Sequence, residues 1–157
     1  MGTLDLALVK QHVQATEYVY VSTLSAEGYP VTRVMFNLHN EKRSPKQAAF
    51  LATLDEDFHI YLGTNAGSAK VADIRRSPQM SLYFHAPDSW QAVLVAGEAE
   101  VVTDMEIKRG LWQDEWSVYY EDGVDGDDYT IVRMRPVFAE YYHDLTKETL
   151  RFAPEEE

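Results

Sequence analysis

The sequence predicts a single, mainly β domain, built as a barrel or sandwich with a few helices. Short runs of β-branched and aromatic residues recur along the chain, separated by turn residues. Ten Tyr and six Phe add to that strand character. Strand-like runs outnumber helix-like ones and do not alternate with them, which argues against a doubly wound parallel sheet. At 157 residues and 45% hydrophobic side chains, the chain suits one core, so the domain is expected to span 1–157.

Taken in order, Leu4, Leu8, Val9 and Val13 recur at helical spacing, which predicts a helix from Thr3 to about Thr16. Tyr18 to Leu24 reads as a strand. Ala26-Glu27-Gly28-Tyr29-Pro30 supplies turn chemistry, and Val31 to Leu38 is the return strand of a hairpin. Asn40 to Gln47 is polar, contains Pro45 and reads as a loop. Ala49–Leu54 and Phe58–Leu62 read as short strands around Asp55-Glu56-Asp57. A Gly-containing turn at Gly63–Ser68 then leads into a short helix to about Arg76, stopped by Ser77-Pro78. Met80–Phe84 and Ala92–Val102 are strands. Asp104 is a helix N-cap, with the helix running through Ile107 and Leu111 toward Trp116. Glu121–Asp128 is an acidic loop, Tyr129–Met134 and Val137–Tyr142 are the last clear strands, and Ala153–Glu157 is an acidic tail.

Composition removes several function classes. A net charge of −12 repels nucleic-acid phosphates and anionic lipid, so neither is an expected partner. No apolar run approaches the ~20 residues that cross a bilayer. Met1–Lys10 lacks the basic flank, apolar stretch and cleavage site of a secretory signal. The absence of Cys removes disulfides, thiolate metal sites and Cys nucleophiles, and a cytoplasmic location is expected. The charge is uneven, however. Between Phe58 and Phe84 stand Lys70, Arg75 and Arg76 against a single acid, Asp73. That island is either a site for a small anion or the solvated basic face of a helix.

Two stretches carry the chemistry. In the first, a strand enters Gly63-Thr64-Asn65-Ala66-Gly67-Ser68, and a helix opens with Lys70 in or near its first turn. Glycine lets backbone approach a ligand closely. A helix N-terminus offers unpaired amides and about half a positive charge. Thr64 and Ser68 add hydroxyls, and Lys70 adds a full charge. These are the parts of a phosphate cradle, although the same residues also make an ordinary capped turn. Neither the Walker loop nor the dinucleotide fingerprint is present. In the second stretch, alternation puts Val31, Arg33, Met35 and Asn37 on one strand face and Thr32, Val34, Phe36 and Leu38 on the other. The second set reads as the core face. The first then presents a cation beside a thioether, fit either to border a flat ring with an anionic tail or simply to meet solvent.

Together, Arg33-Val34-Met35-Phe36 and the strand ending in Gly63-Thr64-Asn65-Ala66-Gly67-Ser68-Ala69-Lys70 resemble the FMN-binding signature of the pyridoxamine 5′-phosphate oxidase-like split barrels. Within them the chain looks closest to the general stress protein branch. Ser22-Thr23-Leu24 before Gly28-Tyr29-Pro30, Gly97-Glu98-Ala99-Glu100 before Asp104, and Leu111-Trp112 before an acidic Gly loop extend the resemblance across Tyr18–Tyr142. The resemblance implies a split β-barrel that binds FMN between two copies of the chain. It implies that Arg33 meets the flavin phosphate or ring edge, that the Val34–Met35–Phe36 backbone borders the isoalloxazine, and that Gly63, Thr64, Ser68 and Lys70 hold the ribityl phosphate. Gln91 would come from the dimer mate. The function implied is a flavin-dependent oxidoreductase acting on a small molecule. The alternatives are a flavin-binding stress protein with little turnover, or a binder of deazaflavin or pyridoxal phosphate. The chain departs from the oxidases in three places. Ala69 stands where Arg often precedes the cradle Lys. Tyr141–Glu157 lacks the Arg/His-rich substrate grip. Tyr141-Tyr142 replaces a terminal Trp common in the stress branch.

The five histidines show no metal-ligand spacing, so no metal is expected. His85 reads as a strand-end surface residue or a pocket liner. Trp112 and Trp116, four apart, are expected to share a helix face, at the core or dimer interface or near a flavin. No catalytic triad or nucleophile is legible.

Overall fold

The computed structural model describes residues 4–54 and 58–154. The helix α1 (Leu6–Ala15) begins where the Asp5 carboxylate accepts the Leu8 N–H at 2.9 Å. Its Val9 and Val13, one turn apart, are fully buried, each stabilising the fold by about 1.5–3 kcal/mol. Strand β1 (Tyr18–Leu24) follows and turns at Gly28, φ 84°, into β2 (Pro30–Phe36). Strand β2 ends at Phe36, earlier than expected. Beyond it the Asn37 backbone N–H donates to the Glu17 carbonyl at 3.0 Å, and its side-chain amide donates to the carbonyls of Val13 and Thr16 at 2.6 and 2.7 Å, tying the chain to the end of α1.

The expected strand at Ala49–Leu54 is instead helical as far as Ala52, and the last three residues of the loop expected at Asn40–Gln47 begin that helix. Helix α2 spans Pro45–Ala52, with Pro45 in its first turn, where the missing N–H removes nothing from the ladder. Its Phe50 and Leu51 pack on the smaller of two apolar clusters, beside Tyr61, Trp112 and Tyr129. Asp55–Asp57, around which the two short strands were expected, lie outside the described residues, as do Thr3 and the last three residues of the acidic tail. Strand β3 is Ile60–Asn65, so Gly63 and Thr64 are strand rather than turn. Helix α3 (Ala69–Arg76) and strands β4 (Gln79–His85) and β5 (Ala92–Val102) follow as expected. Asp104 does cap a helix, accepting the Glu106 N–H at 2.8 Å, but α4 (Met105–Gly110) is short. A separate 3-10 turn at Asp114–Val118 carries Trp116.

The two strands expected at Tyr129–Met134 and Val137–Tyr142 are one, β6 (Tyr129–His143). Pro136 does not break it. Along one edge β6 pairs first with β3, as far as Met134, and then with β7 (Thr146–Arg151), from Phe138 onward. Pro136 falls in the gap between these partners, where a missing N–H is harmless, and opposite it β5 has a register shift at Ala96/Gly97. The sequence reading missed β7 altogether. Its strand is polar, and it is joined to β6 by a turn through Asp144 and Leu145, both at positive φ.

All pairings are antiparallel, and the sheet order is β2-β1-β4-β5-β6-β3. The larger apolar cluster fills its interior. There Val19, Val21, Leu82, Phe84, Val93, Val95, Val132 and Met134 meet α1 and α3. The two terminal strands, β2 and β3, come to face one another without pairing. That open seam makes the barrel split, and it positions everything below.

Candidate functional site

A cavity of about 410 Å³ lies in the seam. Strand β2 contributes Val34, Met35 and Phe36, β1 contributes Tyr18, and β3 contributes Gly63. Trp116, Tyr119 and Tyr120 close it from the 3-10 turn and the residues after it. A Cβ on Gly63 would stand 3.4 Å from the Trp116 ring, an ordinary contact, so the indole lies directly against the strand here. Trp116 also meets Trp112 edge-on at 6.0 Å, although the helix expected to carry both is broken between them. Among the described residues lining the cavity there is no Asp, Glu, His, Lys or Arg.

One residue along from Val34 and Gly63 on the same two strands stand Arg33 and Thr64, near the start of α3. The Asn65 side chain accepts the Gly67 N–H at 2.8 Å and its carbonyl accepts the Ser68 N–H at 3.1 Å, which fixes the turn into the helix. Ser68 is the N-cap of α3 by position, yet its side chain caps nothing. Its Oγ is shielded from solvent and meets no hydrogen-bond partner. The helix has no acidic residue in its first turn. Lys70 Nζ donates to Thr64 Oγ1 at 2.7 Å, across from helix to strand. Burial, and then the charge of Arg33, push the Lys70 pKa below the usual lysine range. Lys70 and Arg33 therefore stand close enough for their charges to repel, with the Asp73 carboxylate 3.9 Å from Arg33.

The face assignment of β2 needs correcting. Alternation holds, but Arg33 and Met35 turn inward, Met35 against the main core, while Val34 and Phe36 are 57% and 47% exposed. Apolarity misled because the outer face of this sheet edge is itself apolar. Cross-strand pairing sets Phe36 beside Tyr18, and Val34 and Tyr83 on either side of Tyr20. Asn37 belongs to neither face, being buried in its bonds to α1. Gln91 is not brought to the cradle in its own protomer. It ends the β4–β5 hairpin, where its side-chain oxygen lies 3.4 Å from the Tyr141 hydroxyl.

The structure brings Thr64, Ser68 and Lys70 together at the start of α3 with Arg33 nearby, and sets Val34, Met35, Phe36 and Gly63 around the cavity. It adds Asp73, to which sequence reasoning gave no role. Asp73, only 6% exposed, accepts from the Thr23 hydroxyl at 2.8 Å and from Arg76 at 2.8 Å, and lies 3.9 Å from Arg33. Burial opposes its charge, but the Thr23 and Arg76 hydrogen bonds and both arginine charges hold its pKa below the usual carboxylate range. Its being the lone acid in a basic island was the available signal.

The histidines lie elsewhere. His12 and His143 flank the Tyr141 ring at 4.6 and 4.4 Å. His39 accepts the Tyr61 N–H at 3.1 Å, and burial lowers its pKa to about 4. His85, exposed at the end of β4, bonds the Ser89 carbonyl at 2.8 Å. Among the described residues no three His, Cys, Asp or Glu side chains gather to hold a metal, and no helix is long and apolar enough to cross a membrane.

Residues 31–154 match the profile of a family described as "Pyridoxamine 5'-phosphate oxidase like". The fold is similar to that of a Clostridium acetobutylicum protein related to general stress protein 26 of Bacillus subtilis, of the pyridoxine phosphate oxidase family. The two are 24% identical with a TM-score of 0.72, covering 94% of this chain and 96% of that one. It is also similar to general stress protein 26 of Bacillus anthracis, at 19% identity and a TM-score of 0.66, covering 92% of this chain and 98% of that one. At these identities the likeness is one of fold. No curated protein matches the chain.

Proposed function

This chain belongs to the pyridoxamine 5′-phosphate oxidase-like family, and we propose that it binds FMN in the seam and serves as a flavin-dependent oxidoreductase for a small molecule. One observation carries the reading. The shielded, partnerless Ser68 hydroxyl sits at an uncapped helix N-terminus with Lys70 and Arg33 nearby, and the strands that carry Arg33 and Thr64 run on into the apolar cavity at Val34 and Gly63. A phosphate monoester fits that cradle. Lys70 and Arg33 supply charge, Ser68 and Thr64 supply hydroxyls, and the first amides of α3 supply donors. A flat, largely apolar ring fits the cavity, whose volume lies in the range of small-molecule sites. Bound flavin supplies the hydride or electron transfer, and the chain's own residues bind, orient and exclude water. The polypeptide needs no general acid or base for this, in keeping with the uncharged cavity lining.

The test is an absorbance titration of the purified protein with FMN. Saturable binding with perturbed flavin bands is expected, and a protein that takes up no FMN overturns the reading. The same uncharged lining favours a second reading, a flavin carrier or sensor with little turnover. Steady consumption of a nicotinamide cofactor with reduction of an acceptor excludes it.

The outer face of β2-β1-β4 supports a homodimer with flavin at the interface. Tyr18, Tyr20, Val34, Phe36 and Tyr83 are each 40–57% exposed and lie side by side across three strands. Tyr20→Glu places a charge at the centre of that patch. It is expected to convert a dimer into an 18.0 kDa monomer in sedimentation velocity, and an unchanged dimer places the interface elsewhere.

A further inference from the structure

Arg33 leaves an edge strand on a long flexible side chain, so something must hold its guanidinium toward α3 if it is to meet an anion there. Its hydrogen bonds all leave from one nitrogen, Nη1, to Thr23 Oγ1 at 2.8 Å, the Val31 carbonyl at 3.0 Å and the Val21 carbonyl at 3.4 Å. Thr23 has a single hydroxyl proton, and it goes to Asp73 Oδ2 at 2.8 Å. The hydroxyl lone pairs are therefore left to face Arg33, and the buried carboxylate decides which way that acceptor points. The other Asp73 oxygen takes Arg76 Nη2 at 2.8 Å, and Arg76 is tied in turn to the Leu24 carbonyl at 3.2 Å. Asp73 stands one turn beyond Lys70 on α3.

We infer that Asp73, acting through the Thr23 hydroxyl, is the positioning residue that aims Arg33 at the phosphate end of the seam, an inference that rests on the FMN reading above. Nη1 is anchored, and Nη2 stands 3.9 Å from Asp73 Oδ2, beyond hydrogen-bond reach, which leaves the Nη2 N–H groups to meet the ligand. A fork held in one orientation loses less freedom on meeting a phosphate than a free one does.

The sign of the effect separates positioning from plain electrostatics. Removing a negative charge beside an anion site strengthens anion binding by Coulomb's law alone. Positioning demands the reverse, so Asp73→Asn weakens FMN. Thr23→Val removes the relay at constant charge and nearly constant shape, and serves if Asp73→Asn does not fold. Both are expected to raise the FMN dissociation constant about 5–10-fold in fluorescence titration. Riboflavin, which lacks the phosphate, should shift by less than about twofold, because the relay touches only the phosphate end. Thr23→Ser, which keeps the hydroxyl, is expected to restore wild-type affinity. In an Arg33→Met background the Thr23→Val effect should vanish, since the relay then has nothing to aim. Folded variants that bind FMN as well as wild type or better, or that lose FMN and riboflavin equally, overturn the inference. A wild-type protein that binds neither flavin overturns the FMN reading itself, which is a separate result.

Discussion

Lys70→Ala is expected to weaken FMN binding by about 10–100-fold, the worth of one charge-assisted hydrogen bond to a phosphate. Three features make this the largest single effect in the cradle. Lys70 is the full charge on the first turn of α3, where the helix amides already favour an anion. Its ammonium is partly stripped of water and is repelled by the charge of Arg33, so an arriving anion gains more there than at a solvated lysine. It also holds the Thr64 hydroxyl at 2.7 Å, which loses its partner when Lys70 is cut back. Lys70 makes no ion pair among the described residues, so the variant should melt close to wild type. Fluorescence titration with FMN and with riboflavin checks the prediction. A loss confined to FMN supports the cradle, and a loss equal for both ligands moves the phosphate elsewhere.

Gly97→Ala is expected to destabilise the fold by about 3 kcal/mol or more, with a fall in Tm of roughly 10 °C. The added Cβ would stand 2.1 Å from the Arg135 carbonyl oxygen and 2.6 Å from Met134 Sδ. A side chain can swing aside, but the carbonyl cannot. Strand β5 is held by β4 on one side and β6 on the other, with Gly97 opposite Met80 and Pro136. The glycine is what allows β6 to press close where its register shifts. Gly67→Ala makes the control, because its Cβ would meet only the Asn65 Oδ1, at 3.4 Å. Thermal unfolding of both variants checks this. A Gly97→Ala protein that melts with wild type would mean that the β5–β6 ladder can part locally without loss.

Most strands were legible because their residues are strand formers wherever they sit. The bounds of β1 and β5 match the reading, and Thr64 and Lys70, read from the Gly63–Lys70 stretch, do meet across strand and helix. What failed to show depends on distant partners. Ala49–Leu54 is a short apolar run, and such a run suits strand or helix. Only the room beside Trp112 and Tyr129 selects the helix. The inner and outer faces of β2 are both rich in apolar side chains, so alternation could give the period but not the polarity. Pro136 looks like a strand end until β6 is seen changing partners around it. The cavity itself is formed by the meeting of β2 and β3, which stand at opposite ends of the strand order. Thr23 and Asp73 are fifty residues apart, so their pairing was invisible to spacing.

The open seam has a thermodynamic consequence. A barrel that closed fully would have no bare strand edges, whereas this one leaves the facing sides of β2 and β3 without a ladder between them. Whatever lodges in that gap binds the folded chain and not the unfolded one. Its binding energy therefore adds directly to the folding energy by mass action, about 2.7 kcal/mol at a hundredfold excess over Kd. Resistance to heat, proteolysis and edge-to-edge clumping then becomes a function of ligand supply, and the amount of intact protein follows the concentration of the molecule it holds.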